Sequence, residues 1–187
     1  MTASTTELAV QAEDRRIAWL AAAAVGLGLA EAALPSPIPG LKPGLANIVT
    51  LLVLMRYGWR IAVWVTLLRV VATALLLGSF LTPAFVLSLA GALAALATLG
   101  VCSRLTALGL GPVGLSLLAA FAHVGMQLMV VDLWLMPGIS LLALAPLFLT
   151  AAWVTGFANG LIVARLLSVG PLASAPAQAS AGGLRPS

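Results

Sequence analysis

The chain has 187 residues, 62% of them hydrophobic and only 7% charged, with a mean hydropathy of +1.16. Water-soluble domains carry about a quarter charged residues, so an ordinary soluble fold is excluded and an all-α integral membrane protein is expected. Nine Lys and Arg against five Asp and Glu give a net charge of +4. These cations are spread between apolar runs, which fits a cytoplasmic membrane face rather than a nucleic-acid groove, so no nucleic-acid partner is expected.

In chain order, residues 1–16 are polar and read as a cytosolic N-terminal tail or short helix, with Glu13, Asp14, Arg15 and Arg16 at its end. The twin arginine before an apolar run could instead open a cleavable export signal, but the acids there and the later spans weigh against it. Apolar runs follow at Ile17 to Leu34, Leu45 to Met55, Ile61 to Gly78, Ala84 to Cys102, Val113 to Met136 and Leu141 to Leu167. A span needs roughly 20 residues, so residues 17–167 predict a six-helix transmembrane bundle. The second run, rising only about 16 Å, gives a short helix. Residues 168–187, rich in Ala, Pro, Ser and Gly, predict a disordered C-terminal tail.

Arg15, Arg16, Arg56, Arg60, Arg104, Arg165 and Arg185 fall on one side if the N-terminus is cytoplasmic, and only Lys42 falls on the other. The positive-inside rule therefore predicts N-in, C-in. Ala18, Ala22 and Gly26 form a small-residue stripe on the first helix, and Gly156 and Gly160 do so on the last. Such stripes either let a partner dock closely or reflect how common Ala and Gly are in membrane helices.

An ionisable side chain inside a span costs at least about 2.5 kcal/mol unless paired or wetted. Glu31, Lys42, Arg69 and Asp132 are such residues, with Glu31, Lys42 and Asp132 toward the outer side and Arg69 and His123 near the midplane. Two acids and two bases sum to zero, so they either form a paired lock within the bundle or line a ligand site. Gln127 lies one turn from His123, on the same face. Ser88 and Asn159 are weaker candidates. One histidine and one cysteine, Cys102, offer no metal site, so none is predicted.

The stretch from Pro35 to Asn47 carries prolines at 35, 37, 39 and 43 and glycines at 40 and 44. Pro43 suits the first turn of a helix, which would then turn its free N–H groups toward the outer cavity, beside Lys42 and the Asn47 amide, as a site for an anionic ligand group. Gly40 and Gly44 would permit close approach. A plain stiff hairpin is the competing reading.

Glu31, the run from Pro37 to Leu51, Leu68-Arg69, Gly78, Leu87 to Gly91, Gly114-Leu115-Ser116 and Ala122-His123 with Gln127 resemble the Gx transporter family, often labelled heptaprenyl diphosphate synthase component I. The likeness runs from about Glu31 to Gly160, and Val124 stands where the family's His-Asn pair has its amide. It implies similarity to the substrate-binding (S) subunits of energy-coupling-factor transporters, which have six helices, an outward-facing pocket and a small-residue docking stripe on the first helix. A multi-pass protein of the bacterial cytoplasmic (inner) membrane follows from that likeness. Its pocket would take an anionic or isoprenoid-linked metabolite through Glu31, Gly40, Lys42, Gly44, Asn47, Arg69, Ser88, His123, Gln127 and Asp132. With no nucleotide-binding loop, uptake would require energising membrane subunits. Prenyl elongation needs clustered aspartates for magnesium, and this chain has only Asp14 and Asp132, so catalysis by the chain alone is not expected. The alternatives are a membrane subunit of a flavin or quinone electron-transfer complex and an accessory subunit of isoprenoid metabolism.

Overall fold

The computed structural model describes residues 12–33, 47–104, 109–137 and 145–169. Six helices follow one another: α1 Ala12–Ala32, α2 Asn47–Tyr57, α3 Trp59–Leu76, α4 Pro83–Arg104, α5 Pro112–Val130 and α6 Ala145–Ser168, with a π-helical turn Val131–Leu135 continuing α5. No strand occurs among the described residues. Four helices are long and apolar enough to cross a membrane: α3, α4, α5 with its π turn, and α6. The apolar part of α1, Ile17–Ala32, and all of α2 are shorter, so six helices are found but not six full-length spans. Helix α1 begins five residues ahead of its apolar run, because Glu13 to Arg16 are good helix formers or tolerated in a first turn.

Specific contacts give the direction of each helix. Helices α2 and α3 are joined by Gly58 alone, whose φ of 86° suits glycine. The Thr50 and Thr66 hydroxyls, eight residues either side of it, hydrogen-bond at 2.9 Å, so the pair folds back as a hairpin. Gly28 faces Thr73, while Asp14 and Ala18 share a groove with Arg60 and Trp64, so α1 runs parallel to α3. Gln127 reaches the Leu87 carbonyl and His123 meets Gly91, which sets α5 antiparallel to α4. Gly156 meets Ala120 and Gly160 meets Val113, so α6 is antiparallel to α5.

This alternation gathers the described basic positions other than Arg69 at one end of the bundle: Arg15, Arg16, Arg56, Arg60, Arg104 and Arg165. Glu31 and Asp132 belong to the opposite end. Near the arginine end the core is aliphatic, with Leu51, Val53, Ala62, Val65, Ala95, Leu99 and Val163 buried together. Close approach there depends on small residues: a Cβ on Gly160 would stand 2.5 Å from Val113 Cα, and one on Gly100 2.5 Å from the Trp59 ring. The outer surface of the helices exposes large apolar side chains, among them Leu75, Leu93, Val154 and Leu161. In water such a surface would drive association; against lipid tails it is matched.

Candidate functional site

Helix α1 turns Ala21, Ala24, Gly28 and Glu31 inward, positions separated by three or four residues. Glu31 ends that stripe, buried, and lines a small pocket of about 50 Å³ with Arg69, Thr73 and Ser88. Its carboxylate interacts electrostatically with the Arg69 guanidinium. Of the two acids expected near the outer end, Glu31 is the one that shares this pocket with Arg69.

His123 of α5 lies within reach of the Arg69 charge, which disfavours a protonated ring. The His123 imidazole is buried and lies flat across Gly91 of α4, where a Cβ would come within 2.8 Å of Cε1. The Gly91 backbone is within weak hydrogen-bonding reach of the ring, and Nδ1 has no well-formed partner among the described residues. One turn along α5, Gln127 is 0% exposed, and its Nε2 donates to the Leu87 carbonyl at 3.4 Å. That carbonyl already belongs to the first turns of α4, so the glutamine ties α5 to α4 beside Ser88. The Gln127 Oε1 is buried without a partner among the described residues.

Four helices thus bring the buried Glu31, Arg69, His123 and Gln127 and the half-buried Ser88 into one polar seam in an apolar bundle. Thr73, which the sequence reading did not single out, and Gly91, which it gave only as the end of the run from Leu87, belong to it as well. Thr73 sits one turn after Arg69 on the same face, and that spacing was the available signal. Its Oγ1 is buried and without a partner among the described residues, as are Nε and Nη2 of Arg69. Burying so many unmet polar atoms is costly, and native proteins normally do it where a ligand or water completes them.

Other expected residues fall elsewhere. Asp132 is exposed on the π-helical turn and does not line the pocket. The inward face of α5 continues from Gln127 to the buried Val131, which leaves Asp132 a step around the helix. Asn47 opens α2, buried, with Nδ2 lacking a partner among the described residues, but it does not line this pocket. Gly40, Lys42 and Gly44 lie outside the described residues. The stripe of Ala18, Ala22 and Gly26 is exposed, on the side of α1 away from Ala21, Ala24 and Gly28, and a Cβ on Gly26 would meet nothing within 4 Å. Asn159 is buried on α6 one residue from Gly160.

Residues 20–166, nearly all of the helical region, match the family described as heptaprenyl diphosphate synthase component I. The chain belongs to this family. It is the Gx transporter family that the residue pattern resembles under its second label. The matched span takes in every residue of the polar seam. No curated protein and no solved structure matches the chain.

Proposed function

We propose that this family member is a multi-pass protein of a bacterial cytoplasmic membrane that binds a small metabolite for transport, in the manner of a substrate-binding subunit of an energy-coupling-factor transporter. In this reading all six helices belong to the membrane domain, with α2 as a short span and both termini cytoplasmic. The asymmetry of the arginines supports that orientation, because cations gather on the cytoplasmic side. The polar seam would then open toward the outside, where an acidic or isoprenoid-linked metabolite would enter.

The observation that carries the reading is the meeting of Glu31, Arg69, Thr73 and Ser88, from three helices, around one small pocket with unmet polar atoms. An ion pair that only locked helices together would have its donors used up by its partners. The exposed stripe of Ala18, Ala22 and Gly26 is the surface for an energising membrane subunit, open at Ala22 and Gly26 and bordered at Ala18 by the groove toward α3. The protein would be non-catalytic by itself, consistent with a family label that names it one component of a system.

Mass spectrometry of small molecules released from the purified protein tests the reading. A stoichiometric metabolite, lost from an Arg69 variant that still folds, is the expected result. A bound flavin or quinone would move the assignment to an electron-transfer subunit, and retention of the metabolite by the Arg69 variant would detach binding from the seam.

A further inference from the structure

Arg69 is 8% exposed, yet both nitrogens on one edge of its guanidinium, Nε and Nη2, are buried with no hydrogen-bond partner among the described residues. These two nitrogens form the side-on fork of an arginine, two parallel N–H donors in one plane. Thr73 Oγ1, one turn further along α3, is in the same condition, and both residues line the same pocket. The edge is thus a flat pair of buried donors on one residue that lines the pocket, and the hydroxyl belongs to a second, one turn along the same helix.

We infer that this fork seats a carboxylate group of the ligand, Nε and Nη2 each donating to one oxygen and Thr73 adding a third bond. The inference rests on the binding role proposed above and names the chemistry its pocket selects. A carboxylate is planar, and its two oxygens match the fork bidentately, whereas a lysine would supply only a point charge. The pocket of about 50 Å³ holds a few waters or a compact head group, so the rest of the ligand must lie beyond it. Glu31 also lines the pocket and opposes any anion there. A monoanion whose charge rests on the fork meets that repulsion once, while a phosphate dianion meets it doubled.

The test uses the full chain in lipid nanodiscs after exhaustive dialysis, with ¹³C-acetate as the probe and saturation-transfer NMR as the readout. Acetate should show saturable contact with the wild type, weakened roughly tenfold in Arg69→Lys and severalfold in Thr73→Val, as loss of charge-assisted bonds predicts. Inorganic phosphate at the same concentration should not displace it. Equal acetate contact in wild type and Arg69→Lys would overturn the inference, as would displacement by phosphate or the absence of saturable contact in the folded wild type. If Arg69→Lys does not fold, Thr73→Val decides, and unchanged acetate contact there removes the subsite. A co-purified metabolite without a carboxylate would leave the binding role standing and end this inference; acetate binding with no metabolite ever recovered would do the opposite.

Discussion

The imidazole of His123 lies across Gly91, close enough that a side-chain carbon on the glycine would stand 2.8 Å from Cε1 and 2.9 Å from Nδ1. The ring is buried, so it has no solvent into which to retreat. Gly91→Ala should therefore displace it and lower stability by about 1 to 3 kcal/mol, the usual range for overpacking. Combining Gly91→Ala with His123→Ala should recover part of that loss. Thermal unfolding of the two single variants and the double variant forms a cycle, and strictly additive costs would show that the two residues do not press on each other.

Two glycines should respond in opposite ways to the same added methyl. At Gly160 the new carbon would meet the backbone of α5, 2.5 Å from Val113 Cα and 3.2 Å from the Pro112 carbonyl, and backbone cannot swing aside. Gly160→Ala should part α5 from α6 and lower the melting temperature. At Gly26 nothing lies within 4 Å, so Gly26→Ala should leave the isolated chain as stable as before or slightly more so, through better helix propensity. The bulkier Gly26→Leu should also spare stability, while blocking co-purification with an energising subunit if the bare stripe docks one. Melting curves and pull-downs on the same variants read both effects, and a destabilised Gly26→Leu would place that face inside the bundle.

Removing the guanidinium alone leaves the Glu31 carboxylate buried without its cation. Arg69→Met should cost about 3 to 5 kcal/mol on that account, and Glu31→Gln added to it should restore much of the loss. If the pair only locks helices, the double variant should also keep its metabolite. If the seam is the binding site, the restored protein should be empty. Unfolding in detergent and mass spectrometry of the released small molecules give the two readouts, and a double variant as unstable as the single would mean the two charges are not coupled.

Topology has a direct check. Reporter domains fused after Thr82, in the α3–α4 connection, should report the outside, and those fused after Arg60 or Arg165 the inside. An external signal at Arg165 would turn the polar seam toward the cytoplasm and remove the case for uptake from outside.

The helices were legible because their apolar runs are long and their breaks are written in Gly, Pro and Arg. Gly58 between Tyr57 and Trp59 and Pro112 at the start of α5 are two such breaks. Glu31 and Arg69 stood out for a different reason: so few charges occur in the spans that each is conspicuous, although the sequence left open whether they pair or line a site. What pattern could not supply was the rotation of each helix. Asp132 looked equivalent to Glu31 as an acid near the outer end, yet the inward face of α5 passes through Gln127 and Val131 and leaves it exposed. Thr73 escaped notice, and Gly91 stood only as the end of the run from Leu87, because a threonine or glycine in a membrane helix is unremarkable until the opposing helix is known: α1 with Gly28 and Glu31 for the one, α5 with His123 for the other. The exposed side of Ala18, Ala22 and Gly26 was likewise a matter of rotation, settled by Ala21, Ala24 and Gly28 taking the inner face.

The single-residue link at Gly58 bears on how the chain enters the bilayer. Helix α2 has 11 residues, too few to partition stably on its own, whereas α3 with 18 is long enough to be recognised. With one glycine between them and the Thr50 and Thr66 hydroxyls satisfying each other, the two can leave the translocon together as a preformed hairpin, α3 carrying its shorter neighbour. Insertion would then depend on a hydroxyl pair that does not line the pocket. Thr66→Val should slow insertion by leaving Thr50 unmatched, and Thr50→Val on top of it should restore the rate; glycosylation mapping during synthesis would detect both, and an α2 that inserts normally without α3 would end the idea.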